Sequence, residues 1–274
     1  MKPWPERLVL LGHPLGHSLS PVLQNAALRA AGIHVRYEAL DVPRSTLDQT
    51  LADLRRERAA GNVTIPYKDV MHDACDRLTE TARAVGAVNT FWTAVDGALV
   101  GDNTDVDGFR AAVRELLGGE EPGTGAVVGL LGAGGAAAAV LHALERWPNA
   151  RALVYSRTQQ RAEQLVKRFR VPAEVVAAAE AAVDGSTFVV NATPVGLRDD
   201  AVPVAIDALA EGAVVLDLAY RPGETALVRG AKSRGLRAMD GLTMLVEQGA
   251  LAFERWFGIF PDRGVMWDAI SGRR

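Results

Sequence analysis

Residues 126–137 read Ala-Val-Val-Gly-Leu-Leu-Gly-Ala-Gly-Gly-Ala-Ala, an apolar run of strand length that passes directly into a turn of small residues. The segment Gly132-Ala133-Gly134-Gly135-Ala136-Ala137 fits the G-x-G-x-x-A form of the phosphate-binding turn between a strand and a helix. Each small residue answers a separate demand. Gly132 permits the tight turn, Gly134 leaves the backbone open to a pyrophosphate, and Ala137 keeps helix and strand close. A helix opening near Gly135 then points free N–H groups at the phosphates. Such turns also arise for packing alone, so the next strand carries weight. It ends in Tyr155-Ser156-Arg157-Thr158, with Arg157 standing 25 residues after Gly132, in the region where an NAD site places an acid on the ribose 2′-hydroxyl. Arginine there suits a 2′-phosphate instead: the guanidinium engages phosphate oxygens in pairs, Thr158 adds a hydroxyl, and Arg161 adds charge one turn later. These residues point to NADP(H).

Outward from this turn, apolar runs near 126–131, 152–155, 187–191 and 214–218 alternate with stretches of helical length, the pattern of a doubly wound parallel sheet. An earlier series at 7–12, 35–41 and 62–65 gives a second α/β unit. There, Ser20 and Pro21 suit the cap and first turn of a helix ending near Gly32. The strands predicted at 91–95 and 98–101 flank Asp96-Gly97, a hairpin signal. The chain reads as helical from Leu242 to Phe257, with no clear strand afterwards. The fold class is therefore α/β with two domains.

Composition narrows the function. With 30 basic and 33 acidic residues, a net charge of −3 and no block of either sign, nucleic acid is not an expected partner. The apolar window 126–141 falls short of the roughly 20 residues of a membrane span and is broken by glycine. The single cysteine, Cys75, fits a reducing compartment, and we expect a cytoplasmic protein. None of the five histidines has metal-ligand spacing, so no metal is expected.

Three polar clusters fall at predicted strand ends. His17-Ser18-Leu19-Ser20-Pro21 places two hydroxyls beside a helix start, a cradle for a carboxylate. Asn62-Val63-Thr64-Ile65-Pro66-Tyr67-Lys68 ends in a lysine, and Gly101-Asp102-Asn103-Thr104-Asp105 ends in a carboxylate. Ketone reduction needs a proton donor at the carbonyl oxygen while a hydride arrives from a nicotinamide. Lys68 and Asp105 are the candidate pair.

Taken in order, these motifs resemble the NADP-dependent shikimate dehydrogenase family over nearly the whole chain. Gly86-Ala87-Val88-Asn89-Thr90, Asn191-Ala192-Thr193-Pro194-Val195-Gly196 and Gln248 complete the likeness. The resemblance implies reversible reduction of 3-dehydroshikimate to shikimate on the route to chorismate and the aromatic amino acids. It implies that Lys68 passes the proton beside Asp105 and that Ser18 and Ser20 hold the substrate carboxylate, with Tyr220 approaching it. Thr64, Asn89, Asp105 and Gln248 would meet the ring hydroxyls. Gly132, Ala133, Gly134, Gly135 and Ala136 would bind the phosphates, and Ser156, Arg157, Thr158 and Arg161 the adenosine end. Asn191, Ala192, Thr193, Leu218, Gly241 and Met244 would border the rest of the cofactor. The expected domains are 1–106 with 242–274 for substrate and catalysis, and 107–241, Rossmann-like, for NADP, with the C-terminal helices returning to the first domain. The expected state is a monomer or homodimer.

Ser156, Pro194 and Gln24 depart from the commonest family pattern, and none is a proposed catalytic group. A quinate/shikimate dehydrogenase with relaxed substrate or NAD use would share the motifs but weaken the Arg157 signal. A non-catalytic cofactor-sensing module predicts loss of Lys68 or Asp105, and both are present. A folate-type dehydrogenase leaves Ser18, Ser20, Asn89 and Gln248 unexplained.

Overall fold

The computed structural model describes residues 4–16, 18–120 and 122–271; His17 of the serine motif lies outside them. The chain divides into two compact units, Met1–Asp105 with Leu245–Arg273, and Val106–Met244.

The first unit runs β1 (Leu8–Gly12), α1 (Ser20–Ala30), β2 (Tyr37–Asp41), α2 (Leu47–Arg56), β3 (Ala60–Val63), α3 (Lys68–Ala74), β4 (Arg77–Leu78), α4 (Glu80–Val85), β5 (Thr90–Thr93) and β6 (Leu99–Asp102). Its sheet has the order β2-β1-β3-β5-β6-β4. β1 pairs in parallel with β2 and β3, while β5 is antiparallel to both β3 and β6. β6 therefore runs with β1 and β3, so the residues following all three, and those preceding β5, emerge at one edge. That edge carries every polar cluster of the first half. Beneath it Val9, Leu11, Leu54, Val63, Phe91 and Leu99 pack into one core. This burial on both faces explains why β1 is apolar throughout rather than alternating.

The second unit opens with α5 (Asp105–Leu116) and continues β7 (Val127–Leu131), α6 (Gly135–Leu144), β8 (Arg151–Tyr155), α7 (Gln159–Val166), β9 (Ala173–Val175), α8 (Ala179–Val183), β10 (Phe188–Asn191), β11 (Val214–Asp217), α9 (Ala226–Ser233) and β12 (Arg237–Met239). The sheet order β12-β11-β10-β7-β8-β9, with all pairs parallel, is doubly wound about β7. α10 (Leu242–Phe257) and α11 (Arg263–Ser271) complete the chain, and α11 packs on α1 of the first unit. The C-terminal helices return to the first unit, as expected.

Some local expectations shift. Strand 62–65 begins earlier and ends at Val63; Thr64, whose N–H bonds to Leu11 O at 2.9 Å and whose carbonyl accepts the Tyr67 N–H at 3.0 Å, turns the chain into the following loop. The hairpin strands end at Thr93 and restart at Leu99, because Ala94 N–H bonds to Ala98 O (2.8 Å) and Gly97 N–H to Ala94 O (3.0 Å), closing a longer turn. Ser20 is the first helical residue rather than the cap. Leu19 takes the cap position, and the Ser18 hydroxyl accepts the Ser20 N–H at 3.3 Å.

Candidate active site

Lys68 and Asp105 each open a helix at the polar edge of the first sheet, Lys68 after β3 and Asp105 after β6. The ladder sets their separation: Val63 N–H bonds to Asn89 O (2.8 Å), and Asn89 N–H bonds to Asp102 O (3.1 Å). Asn89 is thereby seated between the two exits. Lys68 Nζ donates to Asp105 Oδ2 at 2.5 Å, and Asn89 Nδ2 donates to Asp105 Oδ1 at 2.8 Å. Asn103 Oδ1 accepts the Asp105 N–H at 3.1 Å, a local turn that fixes the start of α5. The lysine side chain is 16% exposed and the carboxylate 5%. An ammonium open on one side and held from behind by a buried, doubly bonded carboxylate can hand over a proton without leaving its place.

The cluster extends through one amide. Asn89 Nδ2 also approaches Thr104 Oγ1 (2.9 Å) and Gln248 Oε1 (3.3 Å), while Asn89 Oδ1 accepts the Thr104 N–H at 2.7 Å. Two amide hydrogens cannot serve three acceptors fully, so the long Gln248 contact is the weak one. Thr104 Oγ1 donates to the Gln248 carbonyl at 3.0 Å. Behind Asn89, Asn62 donates to its carbonyl and accepts the Tyr37 hydroxyl at 2.9 Å, all buried. The structure thus joins Lys68, Asn89, Asp105 and Gln248 in one network.

Ser18, Ser20 and Thr64 lie at the same sheet edge but outside that network. The loop before Ser18 is tied down by Asp41, which accepts Leu15 N–H at 3.0 Å and meets His13 Nδ1 at 2.6 Å. The Leu15 N–H and then the imidazole hold its carboxyl below the usual range. Gln24 is buried in α1, where its Nε2 reaches the Gly249 carbonyl at 2.8 Å, one residue beyond Gln248.

In the second unit the turn after β7 has the geometry its glycines promised. Gly132 has φ +121°, and a Cβ there would stand 2.8 Å from Ala192 O. Gly134 caps α6, and a Cβ on it would meet nothing within 4 Å. Protein packing therefore does not require glycine at 134, whereas close approach of a phosphate to this helix N-terminus does. Gly132 N–H bonds to Tyr155 O at 2.8 Å, which seats the β8 exit alongside, with Arg157, Thr158 and Arg161 exposed beyond it. These residues fit a dinucleotide bearing a 2′-phosphate. On the other side, Ala192 N–H bonds to Leu131 O and Leu218 N–H to Asn191 O, so both follow their strands to the same edge.

Residues 10–91 match the model of the shikimate dehydrogenase substrate binding domain, and residues 241–270 match that of the shikimate 5′-dehydrogenase C-terminal domain. The chain is 44% identical to the NADP(+) shikimate dehydrogenase of Rubrobacter xylanophilus, covering 96% of this chain and 94% of that protein. The chain belongs to the shikimate dehydrogenase family. Among solved members of that family, the Thermus thermophilus protein in complex with NADP(H) and shikimate superposes with a TM-score of 0.84 at 39% identity, covering 98% of this chain and 99% of that one. The Aquifex aeolicus protein gives 0.88 at 34%, covering 97% of each.

A buried carboxylate in this shikimate dehydrogenase fold was not singled out by the sequence reading. Asp217, fully buried at the end of β11, accepts Asn191 Nδ2 (2.8 Å), Ala219 N–H (3.0 Å) and the Thr225 hydroxyl (2.6 Å). Asn191 in turn accepts the Thr193 hydroxyl and N–H. Burial pushes the Asp217 carboxyl up to about 6 despite these bonds, with the charge of Asp240 adding to the rise. A carboxylate ending an apolar strand, Val-Val-Leu-Asp, was the available signal.

Proposed function

We propose that this protein catalyses the reversible NADPH-dependent reduction of 3-dehydroshikimate to shikimate, a step toward chorismate and the aromatic amino acids. The observation that carries the reading is the Lys68–Asp105 pair, 2.5 Å apart with its carboxylate buried and anchored by Asn89. NADPH supplies the hydride that reaches the ring carbonyl carbon. Lys68 Nζ delivers a proton to the oxygen that becomes the C3 hydroxyl, and the reverse direction returns it. Asp105 keeps the ammonium aimed and offsets its charge. Ser18 and Ser20 hold the substrate carboxylate with Tyr220; Thr64, Asn89, Asp105 and Gln248 position the ring hydroxyls. The turn 132–136 binds the pyrophosphate, Ser156, Arg157, Thr158 and Arg161 the adenosine 2′-phosphate, and Asn191, Ala192, Thr193, Leu218, Gly241 and Met244 the remaining face. On this division residues 1–106 with 242–274 serve the substrate and 107–241 the cofactor.

We place the protein in the cytoplasm as a monomer or homodimer. The unpaired Cys75, whose thiol is pushed up to about 12 chiefly by burial, suits a reducing setting. Among the described residues no helix is long and apolar enough to cross a membrane.

The test follows the absorbance of reduced nicotinamide with shikimate or quinate and NADP or NAD. Turnover of shikimate with NADP supports the reading, and silence in a folded, NADP-binding sample removes it. Lys68→Ala should still bind both substrates while kcat falls roughly 10²–10⁴-fold; a wild-type rate would take Lys68 out of the chemistry.

A further inference from the structure

Asp102 is a second buried carboxylate in the first unit, three positions before Asp105. Its side chain is 4% exposed. Oδ1 accepts the Thr79 hydroxyl at 2.5 Å and the Asn103 N–H at 2.8 Å, so its place is set by α4 and by its own strand exit. Oδ2 receives Arg255 Nε of α10 at 2.8 Å. A carboxylate so far from water needs a cation, and among the described residues its ion-pair partner is Arg255. The fixed member is Asp102, and the arginine, 43% exposed, comes to it.

Arg255 stands seven residues after Gln248. Seven residues make about two helical turns, so both lie on one face of α10, about 10 Å apart along its axis. That face meets the sheet at matched levels. Gln248 receives Thr104 and Asn89, whereas Arg255 and Trp256 reach Asp102 and Thr90. At the Gln248 level the side-chain bond to the sheet is the long one, 3.3 Å, drawn from an amide with too few hydrogens, while Gln248 Nε2 donates to the Leu245 carbonyl of its own helix at 2.7 Å. The Gln248 amide is therefore held chiefly to its own helix and moves with it, and the charge-assisted bond two turns away is the stronger anchor of that helix on the sheet.

We infer that Arg255, through its ion pair with Asp102, is a positioning residue that sets Gln248 for the substrate. This rests on the reading of Gln248 as a substrate contact. The test is a double-mutant cycle of Arg255→Gln and Gln248→Ala in the full-length protein, read as KM for shikimate, KM for NADP and kcat, below the melting temperature of every variant. Arg255→Gln should raise KM for shikimate about fivefold while leaving KM for NADP within about twofold, and should add nothing in the Gln248→Ala background. Arg255→Lys keeps the charge should the glutamine variant fail to fold; its smaller effect should vanish in the same background. An undiminished effect alongside Gln248→Ala, a parallel rise in both KM values, or a change in melting temperature alone would overturn the proposal. A Gln248→Ala protein with unchanged KM for shikimate would instead remove Gln248 from the site, and the proposal with it.

Discussion

Asp217 shows what a single buried carboxyl does to stability. Its ordinary value of 3.8 is raised to about 6 in the folded chain, so between those limits the folded state holds a proton the unfolded state has released. Its contribution is fully present below about 3.8 and is lost as pH rises through about 6, amounting to roughly 3 kcal/mol. Asp217→Asn keeps an acceptor for Ala219 and Asn191 and can donate to Thr225. Chemical denaturation at pH 4 and pH 8 should therefore show a smaller loss of stability in the variant than in the parent; identical losses would mean that Asp217 does not titrate there. Arg157 offers the converse, an exposed residue with ligand chemistry and little structural duty. Arg157→Gln should raise KM for NADP about tenfold or more with KM for NAD little changed, and equal effects on both would remove the 2′-phosphate assignment. Arg157 was recognisable as a candidate in the sequence because its neighbours form a known turn. Asp102, Asp217 and Arg255 were not, since what buries and pairs them comes from segments far along the chain.

Two glycines of the β7 to α6 segment separate packing from binding. A Cβ on Gly129 would lie 2.4 Å from Ala182 O and 3.1 Å from Ser186 Oγ, so Gly129→Ala must push α8 off the sheet, at a cost of about 1–3 kcal/mol. Gly134 faces open space. Gly134→Ala should leave the melting temperature nearly unchanged while weakening NADP binding, and Gly129→Ala should do the reverse, as thermal melts and cofactor titration together will show. If both variants lose stability alike, Gly134 is a structural glycine. At this scale the long elements were legible because apolar periodicity repeats over five or more residues. β4, β9 and β12, of two to three residues, are too short to show a period and form only because a neighbouring strand offers an open edge. The start of α1 moved for a related reason: the Ser18 hydroxyl accepts the N–H of Ser20, the first helical residue, a choice that local propensity does not decide.

Across the whole molecule, two alternating strand and helix series foretold two α/β units, and the polar clusters of the first half were read at strand ends, where the sheet brings them to one edge. The hairpin signal at Asp96-Gly97 foretold the antiparallel pair β5–β6; what the pattern did not contain was that β5 also lies antiparallel to β3 and is alone reversed in the first sheet, and that reversal is what sets Asn89 between Lys68 and Asp105. The first unit is also discontinuous, closed by α10 and by α11 lying on α1. Synthesis gives this layout a direction in time. Residues 106–244 leave the ribosome as an uninterrupted unit and can condense around their own core, while α1 waits for its cover and Asp102 for its counter-charge. The lysine and aspartate are translated early, yet the helix that carries Gln248 and Arg255 reaches them only afterwards. Completion of the Lys68–Asp105–Asn89–Gln248 network is thus scheduled late, after the sheet of the second unit has had time to form.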